Sequence, residues 1–290
     1  MYKIISHPGS AHKDDFMSVS VLLAALGDAK VFRREPTLEE LADPLTYVVD
    51  VGMEYDPAKN NFDHHQDSSL PCAFHLIMKH LGHHAAAQAM FVWYPHMSMM
   101  DVRGPYQTAE HLGIDSDVLF ASSSPIDGYI LSRFSKTQSL AKHDLLYEFM
   151  KALGLDMIAQ LDRKMKRLER LKAEAQVVQV KHVRAIVSTI ESSPKLAMEL
   201  YLRFLHDDSV VMSITPSIRG EGWELLRLGD NQRVDFRLLS GVAGVGFIHA
   251  NGFLAKTETR LPLDEVLQIA ARAVVDAAED RHELRSNRNG

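Results

Sequence analysis

Four short segments near the start of the chain concentrate side chains that bind divalent metals and move protons. They are His7-Pro-Gly-Ser-Ala-His12-Lys-Asp14-Asp15, Asp50 within VVDVG, Asp63-His64-His65-Gln66, and Asp101. Nine of the fifteen histidines lie in the first hundred residues, whereas the whole chain has one cysteine, Cys72. A lone thiol can form neither an intramolecular disulfide nor a thiolate zinc site. Any metal must therefore use imidazole and carboxylate. That mixed N/O set suits Mn, Fe, Co or Zn.

The charges argue for two ions. Asp14, Asp50, Asp63 and Asp101 would place four carboxylates within a few ångströms, where unneutralised like charges repel strongly. Two divalent cations balance them and leave the histidines neutral, as ligation requires. Asp50, ending an apolar run, is well placed to bridge both ions. Such a pair can activate a shared water for in-line displacement at phosphorus. Asp115 and Asp117 are alternatives to Asp101. A second feature is the glycine-rich SGVAGVGFIHANGF near the other end. Closely spaced glycines let backbone amides approach an anion. His249 and Gly252 there, with Arg219 earlier in the same half of the chain, are the expected substrate-binding groups.

These residues need elements to hold them. Tyr2–Ser6 reads as a strand, Asp14–Leu26 as a helix with Phe16, Val19, Leu22, Leu23 and Leu26 inward, and Gly27 as its C-cap. Lys30–Arg33 reads as a second strand. Thr37–Leu41 reads as a helix with a Thr37/Glu40 capping box, and Leu45–Val51 as a buried strand. This alternation predicts an α/β domain with a parallel sheet, whose strand C-termini gather His7, His12, Asp14 and Asp50 along one edge. Helices are expected at Ala73–Leu81, His83–Trp93, Leu140–Leu153 and Asp156–Ala175. His75, His80, His83, His84 and His96 fall in such segments without a carboxylate at ligand spacing and read as ordinary residues. Beyond about residue 177 the pattern becomes α+β. Strands are expected at Val177–Val187, Ser209–Ile214 and Glu224–Leu228, and helices at Pro194–Leu205 and Leu263–Ala278. Two domains follow, 1–176 and 177–290, with 280–290 as a frayed tail. Arg163–Lys172 reads as a solvated helix face, and Trp93, Trp223, Phe247 and Phe253 as core.

The 290 residues are 46% hydrophobic and 24% charged, with a net charge of −6, which excludes collagen-like, disordered and membrane-embedded classes. No run approaches the about 18–20 apolar residues of a membrane span, and the N-terminus lacks a secretory pattern. A cytoplasmic protein is expected. The negative balance argues against bulk coating of nucleic acid but allows a local basic groove.

Taken together, HPGSAHKDD, VVDVGMEYDPAKNNFDHHQ and GVGFIHANGF resemble blocks of the Myg-type (melanocyte-proliferating-gene) family, within the DHH phosphoesterase superfamily. The resemblance implies a DHH-like α/β catalytic domain followed by a smaller α+β substrate-binding domain. It implies that His7 and His12 hold one ion, that Asp14, His64 and Asp101 hold the second, and that Asp50 bridges them. His65 would face the phosphate as electrophile or leaving-group acid, and Asp63 would orient a neighbouring histidine. Similar proteins are described as metal-dependent 3′–5′ RNA exonucleases, usually with manganese, so single-stranded RNA is the expected substrate. A hydrolase of small nucleotides or pyrophosphate with the same metal core, and a non-catalytic metal-binding regulator, are the alternatives. The chain departs from the family blocks at Lys13, Asp15, Asp67 and the Val-Arg-Gly after Asp101.

Overall fold

The computed structural model describes residues 1–189 and 209–275. The helix expected at Pro194–Leu205, the end of the one expected at Leu263–Ala278, and the tail lie outside them. The chain divides into two compact units, Met1–Arg163 and Lys164–Gly290.

The first unit is built on six strands: β1 (Tyr2–Ser6), β2 (Ala29–Arg33), β3 (Thr46–Val49), β4 (Tyr55–Asp56), β5 (Asn61–Phe62) and β6 (Ser139–Leu140), in the order β4-β5-β3-β1-β2-β6. β1 pairs parallel with β2 and β3, and β3 parallel with β5, while the edges β4 and β6 are antiparallel. Ile4, Ile5, Val31, Val48 and Val49 are fully buried, as both faces of a parallel sheet require. The chain leaves β1 through α1 (Lys13–Leu26) to β2, then returns through α2 (Leu38–Ala42) to β3 on the other side of β1. The C-terminal ends of β1 and β3 therefore form a topological switch point, where open α/β sheets place their sites. The Thr37/Glu40 capping box starts α2, and Gly27 (φ 78°) ends α1, both as expected.

The chain departs from expectation in five places. β3 stops at Val49 rather than Val51, because Asp50 is left-handed at φ 60°, followed by Gly52 at 97° and Met53 at 55°. α3 (Ala73–His80) and α4 (His84–Met90) form the expected pair, but α4 ends before Trp93. Asp101, for which no element was expected, lies inside α5 (Tyr94–Leu112), which kinks at Gly104 (φ 77°) ahead of Pro105. α6 (Ser116–Ala121) and α7 (Pro125–Ser135) were not foreseen, their exposed apolar residues hiding any periodicity. The fifth is a fusion: the two helices expected between 140 and 175 are one, α8 (Leu145–Glu174). Gly154 does not break it. A Cβ at that position would sit 2.0 Å from the Ser20 carbonyl oxygen, so glycine lets α8 approach α1 closely. Gly154→Ala is accordingly expected to destabilise by about 1–3 kcal/mol, read as a lower urea midpoint at unchanged slope.

In the second unit β7 (Gln176–Val180) and β8 (Val183–Val187) form a hairpin, where one strand over Val177–Val187 was expected. Its turn places Lys181 at φ 51°. With β9 (Val210–Pro216), β10 (Trp223–Arg227), β11 (Val245–Ile248) and β12 (Leu254–Thr257) they make a sheet of order β11-β12-β10-β9-β8-β7. Only the β8–β9 pairing is parallel. α9 (Leu263–Arg272) adds Val266, Ile269 and Ala270 to a core that includes Phe236, Leu225 and Trp223. Trp223 is thus core as expected, but Trp93 and Phe247 are exposed. Among the described residues no helix is long and apolar enough to cross a membrane.

Candidate metal centre

The loop leaving β1 carries His7 and His12, and α1 begins directly after it with Asp14 and Asp15 in its first turn. Both carboxylates are buried at a helix N-terminus, where the macrodipole favours negative charge. β3 delivers Asp50 beside them. The left-handed backbone there suits Asp better than most residues, because its short side chain bonds locally. Gly52 completes the turn: a Cβ at that position would press within 3.2–3.3 Å of Leu41, Pro36 and Val48. β5 leads into Asp63, His64 and His65, and α5 contributes Asp101.

These residues converge. One ligand atom each from His7, His12 and Asp50 lies within 4.8 Å of the others, and the same is true of Asp50, His64 and His65, and of His12, Asp14 and Asp101. Asp50 and His12 are each shared by two groups. His64 Nε2 lies 3.1 Å from Asp50 and 3.2 Å from Asp101. His7 Nε2 lies 3.4 Å from Asp50. All six residues expected to hold metal are therefore at the switch point. Asp115, by contrast, caps α6 with its own side chain, and Asp117 is exposed; neither belongs to a metal-capable group among the described residues.

Two observations test whether cations fit. Asp14 is 1% exposed, yet neither carboxylate oxygen meets a hydrogen-bond donor, and the buried His7 Nε2 also lacks one in hydrogen-bonding geometry. Burial of unpaired charge is strongly unfavourable, and ligation to a cation removes that cost. The protein's own electrostatics agree. Burial raises Asp14 well above the usual carboxylate range, and repulsion from Asp50, Asp101 and Asp15 adds to it. Burial also works against charging His64, but hydrogen bonds to Asp101 and Asp50 overcome it and hold that imidazole up to about 10. Without metal, protons take the places of cations. A neutral-imidazole, carboxylate-rich donor set of this kind fits hard or borderline divalent ions.

The His64 shift has a testable sign. Its folded value, about 10, exceeds the ordinary 6.5, so in chelator its ion pairs contribute stability that is complete below pH 6.5 and lost as pH rises toward 10. Urea unfolding of the metal-free protein should show that loss, and His64→Gln should remove it. Parallel curves for the two proteins would contradict the pairing.

Asp63 acts differently. It is buried and receives Met53 N–H at 2.7 Å, His64 N–H at 2.7 Å and His65 N–H at 3.1 Å, and its Oδ1 lies 2.6 Å from His65 Nδ1. Burial opposes its ionisation, but these donors outweigh it and hold the carboxyl below its usual range. Asp63 thus ties the DHH turn together and fixes the His65 ring, while His65 itself remains half exposed. Sequence reasoning missed Arg33, which is buried at the end of β2 and touches both Asp15 and the His7–His12 loop. The only available signal was an arginine on the same strand face as the apolar Ala29 and Val31. The histidines read as ordinary remain apart from this cluster. His75, for example, stacks on Tyr94 at 3.8 Å and is driven by burial down to about 4.

The three residues expected to bind substrate are in the second unit, but they are not together. His249 and Gly252 form the β11–β12 turn, whereas the exposed Arg219 lies in the β9–β10 connection. The register, Trp223 opposite Pro216 and Leu226 opposite Leu254, puts those connections at opposite ends of the sheet. The basic group beside Gly252 is Arg237. Gly252 needs to be glycine both for φ 68° and because a Cβ would lie 2.2 Å from Asp235 Oδ1 and 3.2 Å from Arg237 Nε. His249 Nδ1 accepts the Asn251 N–H at 3.1 Å, and its ring packs 4.1 Å from Phe253.

Comparison with known proteins follows the same segments. Residues 3–93 match the MYG1_exonuc family model, described as an uncharacterised protein family (UPF0160). The human protein named MYG1 exonuclease is 42% identical over 69 residues, which are 23% of this chain and 18% of the human protein. The match thus spans less than a fifth of that relative. Among solved structures, an exopolyphosphatase-related protein from Bacteroides fragilis overlaps at 12% identity, covering 94% of this chain and 91% of its own, with TM-score 0.26. RecJ from Thermus thermophilus, solved with Mn2+, overlaps at 15% identity, 93% and 51% coverage, and TM-score 0.30. Overlaps this loose add nothing to the reading of the site. The family match, over residues 3–93, spans His7, His12, Asp14, Asp50 and the Asp63-His64-His65 turn.

Proposed function

We propose that the protein is a phosphodiester hydrolase dependent on two divalent ions, manganese foremost, acting as a 3′–5′ exonuclease on single-stranded RNA. The observation that carries the reading is the unsatisfied Asp14 carboxylate and His7 Nε2, buried among donors from three loops at a sheet switch point. The family's name and that of the human relative support the reaction class. His7 and His12 would hold one ion, Asp14, His64 and Asp101 the other, and Asp50 would contact both. Bound ions would supply a water nucleophilic near neutral pH and counter-charge for the phosphoryl oxygens.

The remaining work belongs to side chains. Asp63 engages His65 Nδ1, so Nε2 is the atom left to meet substrate. A protonated His65 can donate from Nε2 to a phosphoryl oxygen or to the departing oxygen. Asp63 is a positioning residue for that step. In the second unit His249 and Gly252 are the substrate-contacting candidates. Arg237 replaces Arg219 as their basic neighbour, since it shares their end of the sheet.

A panel of short RNA, short DNA, a dinucleotide and pyrophosphate, each with Mn, Mg, Co and Zn, tests the reading. Manganese-dependent release of nucleotides from the RNA 3′ end, increasing with RNA length and falling steeply with salt, is expected. Equal turnover of pyrophosphate or a dinucleotide would replace the exonuclease by a small-molecule hydrolase. No turnover under any condition would leave a metal-binding regulator.

A further inference from the structure

The His7–His12 loop carries two of the six candidate ligands, yet Pro8, Gly9 and Ser10 at its centre are exposed. Such a loop, left to itself, would sample many conformations and lose entropy on binding metal. Arg33 prevents this. Its Nη1 donates to the carbonyl of Gly9 at 3.1 Å and to that of Phe134 in α7 at 3.2 Å, and its Nη2 to the carbonyl of Ser10 at 3.0 Å. Nη2 also lies 3.3 Å from Asp15 Oδ2, and the guanidinium sits 4.5 Å from the Phe134 ring centroid. Asp15 closes the other side: its Oδ1 accepts the His12 N–H at 2.9 Å, and its Oδ2 the Ser6 hydroxyl at 3.3 Å. That same Oδ2 is 3.3 Å from His7 Nε2. Arg33 is 5% exposed and Asp15 fully buried, so the pair is isolated from solvent screening.

We infer that Arg33 and Asp15 are positioning residues that hold the His7–His12 loop in its ligating conformation before any ion arrives. The inference rests on the metal-centre reading above. The planar fork matters: it reaches two consecutive loop carbonyls, a helix-end carbonyl and a carboxylate at once, which an ammonium cannot do. The effect should fall mainly on the ion held through His7 and His12, because Asp14, His64 and Asp101 sit on other supports.

Arg33→Lys keeps the charge and removes the fork; Arg33→Gln removes both. Manganese titration followed by electron paramagnetic resonance, with hydrogen exchange of the 6–13 peptide, reads the result without requiring turnover. Arg33→Lys is expected to weaken one class of manganese site by about 10–100-fold, spare the other, and speed exchange at His12. Gly154→Ala, destabilising at a distance from the loop, is the control. Should Arg33→Lys bind manganese within twofold of wild type, or should Gly154→Ala cost as much, the positioning role is wrong. Absence of manganese binding by the wild-type protein would instead overturn the metal-centre reading itself. If Arg33→Gln does not fold, the Lys variant alone decides.

Discussion

Asp50→Asn is expected to lower manganese-dependent hydrolysis by about 10²–10³-fold or more while leaving the fold intact. The substitution is close to isosteric, and Asn tolerates the left-handed backbone at φ 60° as readily as Asp does. The Asp50 amide would still donate to the Phe62 carbonyl at 3.1 Å. What disappears is a carboxylate shared by two of the three metal-capable groups. The metal-free variant should still fold cooperatively, since relief of the crowded carboxylate set offsets the loss of the Asp50 pair with His64. A variant both inactive and unfolded would not distinguish catalysis from structure, so urea unfolding in chelator belongs beside the assay. Unchanged hydrolysis in a folded Asp50→Asn protein would remove Asp50 from the centre.

The second large effect is on stability. Ions that bind only the folded chain should stabilise it by about 4 kcal/mol at a thousandfold excess over Kd. Here the gain has an identifiable source: cations displace the proton held on His64 and neutralise Asp14, whose oxygens have no donor. Binding should therefore release protons and tighten as pH rises from 6 to 8. Calorimetric titration in two buffers of different ionisation enthalpy measures that release. Urea unfolding with manganese or with chelator measures the stabilisation, which should be much smaller in Asp50→Asn. Manganese without effect on the unfolding midpoint would contradict a site built this way.

Much of this was legible from residue types and order. The alternation from Tyr2 to Val49 announced the parallel sheet, and strand ends bearing His7 and Asp50 located the switch point, because polar residues rarely close buried strands without a task. Thr37 with Glu40 and Gly27 marked helix ends through local hydrogen bonding alone. What could not be read depended on tertiary contact. Gly154 looks like a helix breaker until Ser20 of α1 is known to lie against it. Lys181 takes a positive φ with no Gly or Asn to announce the hairpin turn. Asp101 sits in a helix whose Gly104-Pro105 kink mimics a loop in sequence. Arg33 shows nothing of its role locally, since its four partners come from positions 9, 10, 15 and 134. The expectation that Arg219 and His249 act together failed because antiparallel register, not sequence proximity, decides which turns share an end.

The most direct test of the central claim is anomalous diffraction at the manganese edge from crystals of the full chain grown with Mn2+. The account predicts two peaks about 3.5–4 Å apart, one against His7 and His12, one against Asp14, His64 and Asp101, and both in contact with Asp50. A single peak, or none among these residues, would contradict it.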